Sequence, residues 1–368
     1  MKYKYPVYRP TLSGNEKKHV LECMESTWIS SKGKFVNQFE EEFSKFLGIK
    51  YSAAVSNGTV ALHVALLALG IGAGDDVIVP SFTYIASVNA IYYTGATPVF
   101  VDSEIESLQM DPKDVEKKIT KKTKAVMVVH LYGHPCNMDK LKTICLKKNV
   151  FLIEDCAESF GSKFNDIYTG KFGDIATFSF FGNKTITTGE GGMVVTDNKE
   201  LYEKVFHLKG QGLATGKEYY HDIVGYNYRM TNICAAIGCA QLERADEIIK
   251  KKRQIAEWYN ELLQDLPLKL HTSVGPVFHT YWMITIIVNE SDHRDQLRHY
   301  LGEKGIETRP TFYPAHKMPM YFKEGLSLPV AESLGDRGIN LPSYPDLTKN
   351  DIIYICKTIK DYYNSSML

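Results

Sequence analysis

The sequence predicts an α/β protein with a mostly parallel central sheet, followed by a smaller C-terminal α+β domain. Three observations carry that expectation. Short runs that are apolar along their whole length alternate with helical stretches, the pattern of strands covered on both faces by crossover helices. Turn residues bound these runs. Beyond about residue 230 the alternation gives way to a long helical pattern and a shorter mixed segment.

Taken in order, residues 14–48 are helical, interrupted by the polar turn Ser30-Ser31-Lys32-Gly33-Lys34. Residues 51–55 read as a strand, Ser56-Asn57-Gly58-Thr59 as a turn and 60–69 as an apolar helix. Strands follow at 76–80, 97–102, 125–130 and 150–155, with helices over 85–94, 113–119 and 138–148 between them. Runs 176–180 and 192–196 extend the sheet. A Gly-rich turn rather than a helix joins them, which suits an antiparallel pair. Residues 231–260 form one long helix or two with a kink. Residues 281–288 are the clearest strand of the smaller segment, and 349–363 form a last helix packed on it. The boundary falls near 245–255, separating a large domain, 1–250, from a small one, 251–368.

Composition narrows the function. Lys plus Arg and Asp plus Glu are equal at 43 each, so no net field draws in nucleic acid or an anionic membrane. The seven cysteines are odd in number and form no C-x-x-C pair, against a disulfide framework or a structural zinc site; no metal is expected. The N-terminal stretch is polar, and no run approaches the roughly 18 apolar residues of a membrane span. The expectation is a soluble cytoplasmic protein.

Three features lie where a doubly wound sheet binds ligands, beyond the carboxyl ends of its strands. Gly58 and Thr59 open a helix directly after a strand, a place for a phosphate or simply a capped helix with glycine in the turn. Asp155 ends an apolar strand, where a carboxylate needs a cation or donor, unless it is one of a surface pair with Glu154. Lys184 sits between an apolar strand and a Gly-rich turn, so partial burial would lower its pKa and free it as nucleophile or base. Singly, each has an ordinary structural reading. One anion site, one acid and one lysine together are what pyridoxal 5′-phosphate (PLP) requires.

The stretches S-N-G-T-x-A-L, E-D-C-A-E, S-F-F-G-N-K-T-I-T-T-G-E-G-G, G-Y-N-Y-R-M-T-N and T-R-P-x-F-Y-P-x-H-x-M-P-M-Y, in this order, resemble the DegT/DnrJ/EryC1/StrS sugar aminotransferases. The similarity spans about residues 5–362. HLYGHPC, FSFFGNKTITTGEGGMVV, HLKGQGL and YNYRMTNICAAIG look like the branch acting at C4 of GDP-4-keto-6-deoxy-mannose.

The resemblance implies the fold of PLP-dependent transferases of type I (aspartate aminotransferase-like) and a homodimer, or a dimer-based oligomer, with sites at the subunit interface. It implies that Lys184 forms the Schiff base with PLP and Asp155 holds the pyridine nitrogen protonated. Gly58, Thr59 and Ser179 would bind the phosphate, joined by Asn227 from the partner subunit, and Tyr84 would stack on the ring. Glu158 would lie near the ring's 3-oxygen, where many members carry Gln or His and the GDP branch resembles this chain. Trp28, Ser30, Ser31, Lys32, Arg309 and His316 lie in segments lining the family's substrate cleft, and basic side chains there suit a GDP-linked sugar. L-Glutamate would donate the amino group.

A lysine rather than a histidine at 184 points to transamination rather than dehydration. Rival readings are an aminotransferase for a dTDP- or UDP-linked keto-sugar and a non-catalytic relative serving as a binding module. A nicotinamide dehydrogenase would need G-x-G-x-x-G after its first strand, and Ser56-Asn57-Gly58-Thr59 is not that.

Overall fold

A computed structural model describes residues 3–366. Seven strands form the central sheet in the spatial order Tyr51–Val55, Gly192–Thr196, Ile175–Ser179, Phe151–Asp155, Thr123–Val129, Asp76–Pro80 and Thr97–Val101. Gly192–Thr196 is antiparallel to both neighbours, and the other adjacent pairs are parallel. The Gly-rich turn therefore does join an antiparallel pair, with Ser179 opposite Gly192.

The apolar character of these strands follows from their two covered faces. Along Thr123–Val129, Ala125, Met127 and Val129 pack into one core with helices Gly58–Ala68 and Ile85–Tyr93. Their alternates Val126 and Val128 pack into another, with Pro112–Lys118 and Met138–Lys148. A third core lies against the other edge of the sheet. Helix Lys34–Leu47 buries Phe35, Phe39, Phe43 and Leu47 at four-residue spacing, and Phe43 meets Phe178 edge-on at 5.0 Å.

The long helical pattern resolves into Asn232–Leu242 and Ala245–Leu263. The second helix spans two cores: Ala245, Ile248 and Ile249 pack with the large sheet, whereas Ile255, Ala256, Tyr259 and Leu263 pack with the smaller one. That smaller sheet is antiparallel, in the order Leu268–Leu270, Ile284–Val288, Gly338–Leu341 and Arg309–Pro310, and helix Lys349–Ser366 packs on Ala245–Leu263. The start of the chain also crosses over: Tyr5 is buried in the small core and bridges to Ile306. Among the described residues, no helix is long and apolar enough to cross a membrane.

Candidate active site

The parallel strands deliver their carboxyl ends to one edge of the sheet, and the candidate residues gather there. Asp155 closes its strand almost fully buried; its Oδ2 accepts from Ser87 Oγ at 2.7 Å and its Oδ1 from the Ala157 N–H at 3.0 Å. Burial raises its pKa, opposed by those two donors and by the charge of Lys184. Its neighbour Glu154 is no surface residue. Glu154 accepts the N–H groups of Gly170, Phe172 and Gly173 and meets His130 Nε2 at 3.1 Å, so it braces the turn behind the site.

Lys184 follows a turn in which its N–H bonds Phe181 O at 2.9 Å. Its Nζ lies 4.0 Å from the centre of the Trp282 ring and 3.9 Å from Glu158 Oε1. Burial lowers the pKa of the amine, while the carboxylates of Glu158 and Asp155 pull it back up. Two bonds anchor the loop beneath it: Tyr8 Oη donates to Lys184 O at 2.6 Å and Trp282 Nε1 to Asn183 O at 2.7 Å. Glu158 is buried too, with Oε2 accepting the Tyr132 N–H at 2.8 Å, and burial pushes its pKa up to about 7.

Helix Gly58–Ala68 begins beside them, capped by Asn57 Oδ1 on the Val60 N–H at 3.0 Å. A Cβ at Gly58 would stand 2.7 Å from Ser179 Cβ, so glycine is what lets this helix start approach the Ser179 strand end. The N–H groups of a first helical turn, the helix dipole and the nearby Ser179 hydroxyl suit an anion. Tyr84, 57% exposed, stands at the start of helix Ile85–Tyr93 with its ring 5.7 Å from Phe312. The residues at this edge thus fit PLP: a buried amine, a buried acid and a cradle open to a phosphate.

The remaining candidates do not join this cluster within one chain. Trp28, Ser31 and Lys32 line an open cavity of about 640 Å³ with Lys34 and Asn232, and none of the residues around Lys184 contributes to its wall. Ser30 is engaged through its backbone, its O accepting the Asn232 N–H at 2.7 Å. Asn227 is exposed and accepts from Arg229 Nη2 at 3.1 Å. Arg309 is half exposed, 3.8 Å from Glu307. His316 is the exception to its expected place. It is buried with both ring nitrogens engaged, by Ser81 Oγ at 2.6 Å and Glu332 Oε1 at 3.1 Å, which leaves neither for a ligand in this arrangement.

Several neighbours of the cluster carried little or no signal of their own in the sequence. Trp282, Tyr132, Ser87 and Tyr8 come from distant segments and meet Lys184, Glu158 and Asp155 only through the fold. Tyr132 had a trace, lying within HLYGHPC.

Known proteins agree with this geometry. The profile of the DegT/DnrJ/EryC1/StrS aminotransferase family matches residues 10–360. The chain belongs to that family. It is a PLP-dependent aminotransferase, with the donor set that cofactor needs. The GDP-perosamine synthase of Escherichia coli O157:H7 is 59% identical over 364 residues, 99% of this chain and 100% of that protein. The GDP-perosamine synthase of Vibrio cholerae is 53% identical over 98% of this chain and 99% of that protein. Among solved structures, Spr1654 from Streptococcus pneumoniae in its PLP form superposes with a TM-score of 0.94 at 26% identity, covering 99% of each chain.

Proposed function

We propose that this chain transfers the amino group of L-glutamate to C4 of GDP-4-keto-6-deoxy-D-mannose, yielding GDP-perosamine and 2-oxoglutarate. The observation that carries the proposal is the full-length identity of 59% and 53% to two GDP-perosamine synthases, joined to a complete amine, acid and anion cradle. Bound PLP supplies an aldehyde and an electron-withdrawing ring. The protein's residues supply the rest.

Gly58, Thr59 and Ser179 would hold the cofactor's phosphate, and Tyr84 would pack on its ring. Asp155, kept dry and oriented by Ser87 and the Ala157 N–H, would keep the cofactor's ring nitrogen protonated. Glu158 would meet the ring's 3-oxygen. Lys184 Nζ takes the proton from the α-carbon of glutamate and later delivers one to C4 of the sugar, a role suited to an amine whose pKa burial has lowered.

Because the Trp28–Lys32 segment forms a cavity of its own, we infer that two chains pair to complete each site. Trp28, Ser30, Ser31, Lys32 and Arg309 would then meet the GDP-sugar, and Asn227 would reach the phosphate of the partner's cofactor. A dimer, or an oligomer of dimers, is the working form. Seven cysteines, all free, suit the reducing cytoplasm as its place of work.

The test is turnover with glutamate and GDP-4-keto-6-deoxy-mannose beside the dTDP-linked 4-keto-6-deoxy-glucose. Release of 2-oxoglutarate with the GDP sugar alone is the expected result. Turnover with the dTDP sugar alone would overturn the assigned substrate and leave the enzyme class standing.

A further inference from the structure

Glu158 is held for a purpose its neighbours reveal. Tyr132 adopts a left-handed conformation, φ 57°, and Gly133 follows at φ 95°. A side chain at 133 would collide with the backbone nitrogens of Tyr281 and Trp282, 2.8 Å from its Cβ, so the bend is locked from outside. The bend aims the Tyr132 N–H at Glu158 Oε2. The Tyr132 ring meanwhile stacks on Trp282, their planes 8° apart, and Trp282 presents its face to Lys184 Nζ. One residue therefore braces both the carboxylate and the surface over which the amine rests. What remains is Glu158 Oε1, turned toward Lys184 Nζ at 3.9 Å.

The charges at this point do not balance if every group ionises. Two buried carboxylates, Asp155 and Glu158, face one amine. Asp155 has a donor on each oxygen, which stabilises its ionised form; Glu158 has the single Tyr132 N–H. When one of the two must take a proton, it is Glu158. His130, engaged by Glu154 at 3.1 Å, favours the ionised form of Asp155, and the Tyr132 phenol points away, taking the Phe312 N–H at 3.3 Å.

We propose that Glu158 and Lys184 are proton partners, the Lys184 ammonium passing a proton to Glu158 Oε1 and recovering it later. One N–H bond breaks and one O–H bond forms, so an ion pair becomes a neutral amine and a neutral acid with no net change in buried charge. Closing 3.9 Å to hydrogen-bond range takes about 1 Å of side-chain movement. The neutral amine is the form that attacks a carbonyl or accepts a proton, and it arises without exchange with solvent. The value of this for turnover rests on the function proposed above. The exchange itself does not.

The experiment uses the full-length protein freed of cofactor. The rate at which an amine-reactive reagent labels Lys184 is followed against pH by peptide mass spectrometry, in wild type and Glu158→Gln. Glutamine keeps the oxygen that accepts the Tyr132 N–H but cannot carry the proton. Without the carboxylate, Asp155 alone holds the ammonium, so the labelling midpoint should fall by a pH unit or more, a tenfold gain in rate below the wild-type midpoint. In unmodified wild type, the infrared band of a protonated carboxyl should titrate above the range of surface carboxylates. In Lys184→Met that band should persist to higher pH, because the cation that favours ionisation is gone.

Superimposable labelling profiles for wild type and Glu158→Gln, or a carboxyl band that titrates with the surface carboxylates, would overturn the proposal. Neither readout needs the sugar. A chain that shows the coupling yet fails to turn over the GDP sugar loses the substrate assignment and keeps the proton pair.

Discussion

Gly58 shows how much a single residue decides. A methyl group there would stand 2.7 Å from Ser179 Cβ and 3.0 Å from its Oγ, and the only relief is to push the hydroxyl strand away from the helix start. Gly58→Ala should therefore weaken PLP binding by tenfold or more, about 1.4 kcal/mol, read by titrating the apo-protein with cofactor. Gly182→Ala is the control: beyond the adjoining residues no atom lies within 4 Å of the added carbon, and affinity should not change. Equal affinity in both variants would remove Gly58 from the phosphate cradle. Lys184→Arg tests a different property. It keeps the charge over Trp282 but has no amine that can lose a proton near neutral pH, so turnover should drop by at least about 100-fold. Near-wild-type turnover in that variant would end the role given to Lys184. At this scale the sequence was readable where chemistry and local context coincide. Lys184 beside a Gly-rich turn and Asp155 at a strand end could be picked out; Trp282 and Ser87 could not, because nothing in their own neighbourhoods distinguishes them from core residues.

Among elements, the turn between helices Glu16–Glu25 and Lys34–Leu47 depends on a distant side chain. Asn232, at the start of Asn232–Leu242, donates from Nδ2 to Trp28 O at 2.7 Å and accepts the Phe35 N–H on Oδ1 at 2.9 Å. It is 2% exposed, and Gly33 leaves room for it: a Cβ at 33 would lie 2.1 Å from its Cγ. Asn232→Ala strands two backbone groups, a loss of about 1–3 kcal/mol. The turn it frees carries Trp28, Ser31 and Lys32, so KM for the sugar nucleotide should rise several-fold while KM for glutamate stays put. A matching rise in both constants would place that turn outside the nucleotide site. The helices either side of the turn were legible from period alone, Phe35, Phe39, Phe43 and Leu47 marking one face. The break between Leu242 and Ala245 was legible only as an alternative, because no Pro or Gly marks it.

For the whole molecule, the seam between the two sheets holds a device that period and motif did not disclose. His134 belongs to the loop beyond Thr123–Val129, while His271 and His279 follow Leu268–Leu270 and Val277–Phe278. Their rings lie 4.9–5.3 Å apart, all three buried. Backbone partners select neutral tautomers. His134 donates from Nδ1 to Pro135 O and accepts the Val274 N–H on Nε2; His271 Nε2 donates to Ser107 O; His279 Nδ1 accepts the Tyr281 N–H. Cations add to the cost of charging these rings: Arg253 binds His279 O, and Lys269, paired with Glu106, lowers the pKa of His271. Burial accordingly lowers all three pKa values, that of His134 to about 4.

The sign follows from comparison with the unfolded chain, whose histidines charge below about pH 6.5. Unfolding then takes up protons, so the stability these histidines lend is complete above pH 6.5 and is lost as pH falls toward 4. For His134 alone the loss is about 1.4 kcal/mol per pH unit, or about 2 kcal/mol between pH 6.5 and 5. Asp155 and Glu158, whose pKa values are raised, act with the opposite sign, which makes the informative quantity a difference between proteins rather than one slope. His134→Asn keeps a donor for Pro135 O but cannot be protonated, so its denaturant stability should decline less from pH 6.5 to 5 than that of wild type, by about 2 kcal/mol. Parallel curves would mean that the seam opens before His134 is asked to charge, and that the contact between the sheets, not the histidine cluster, sets the acid limit.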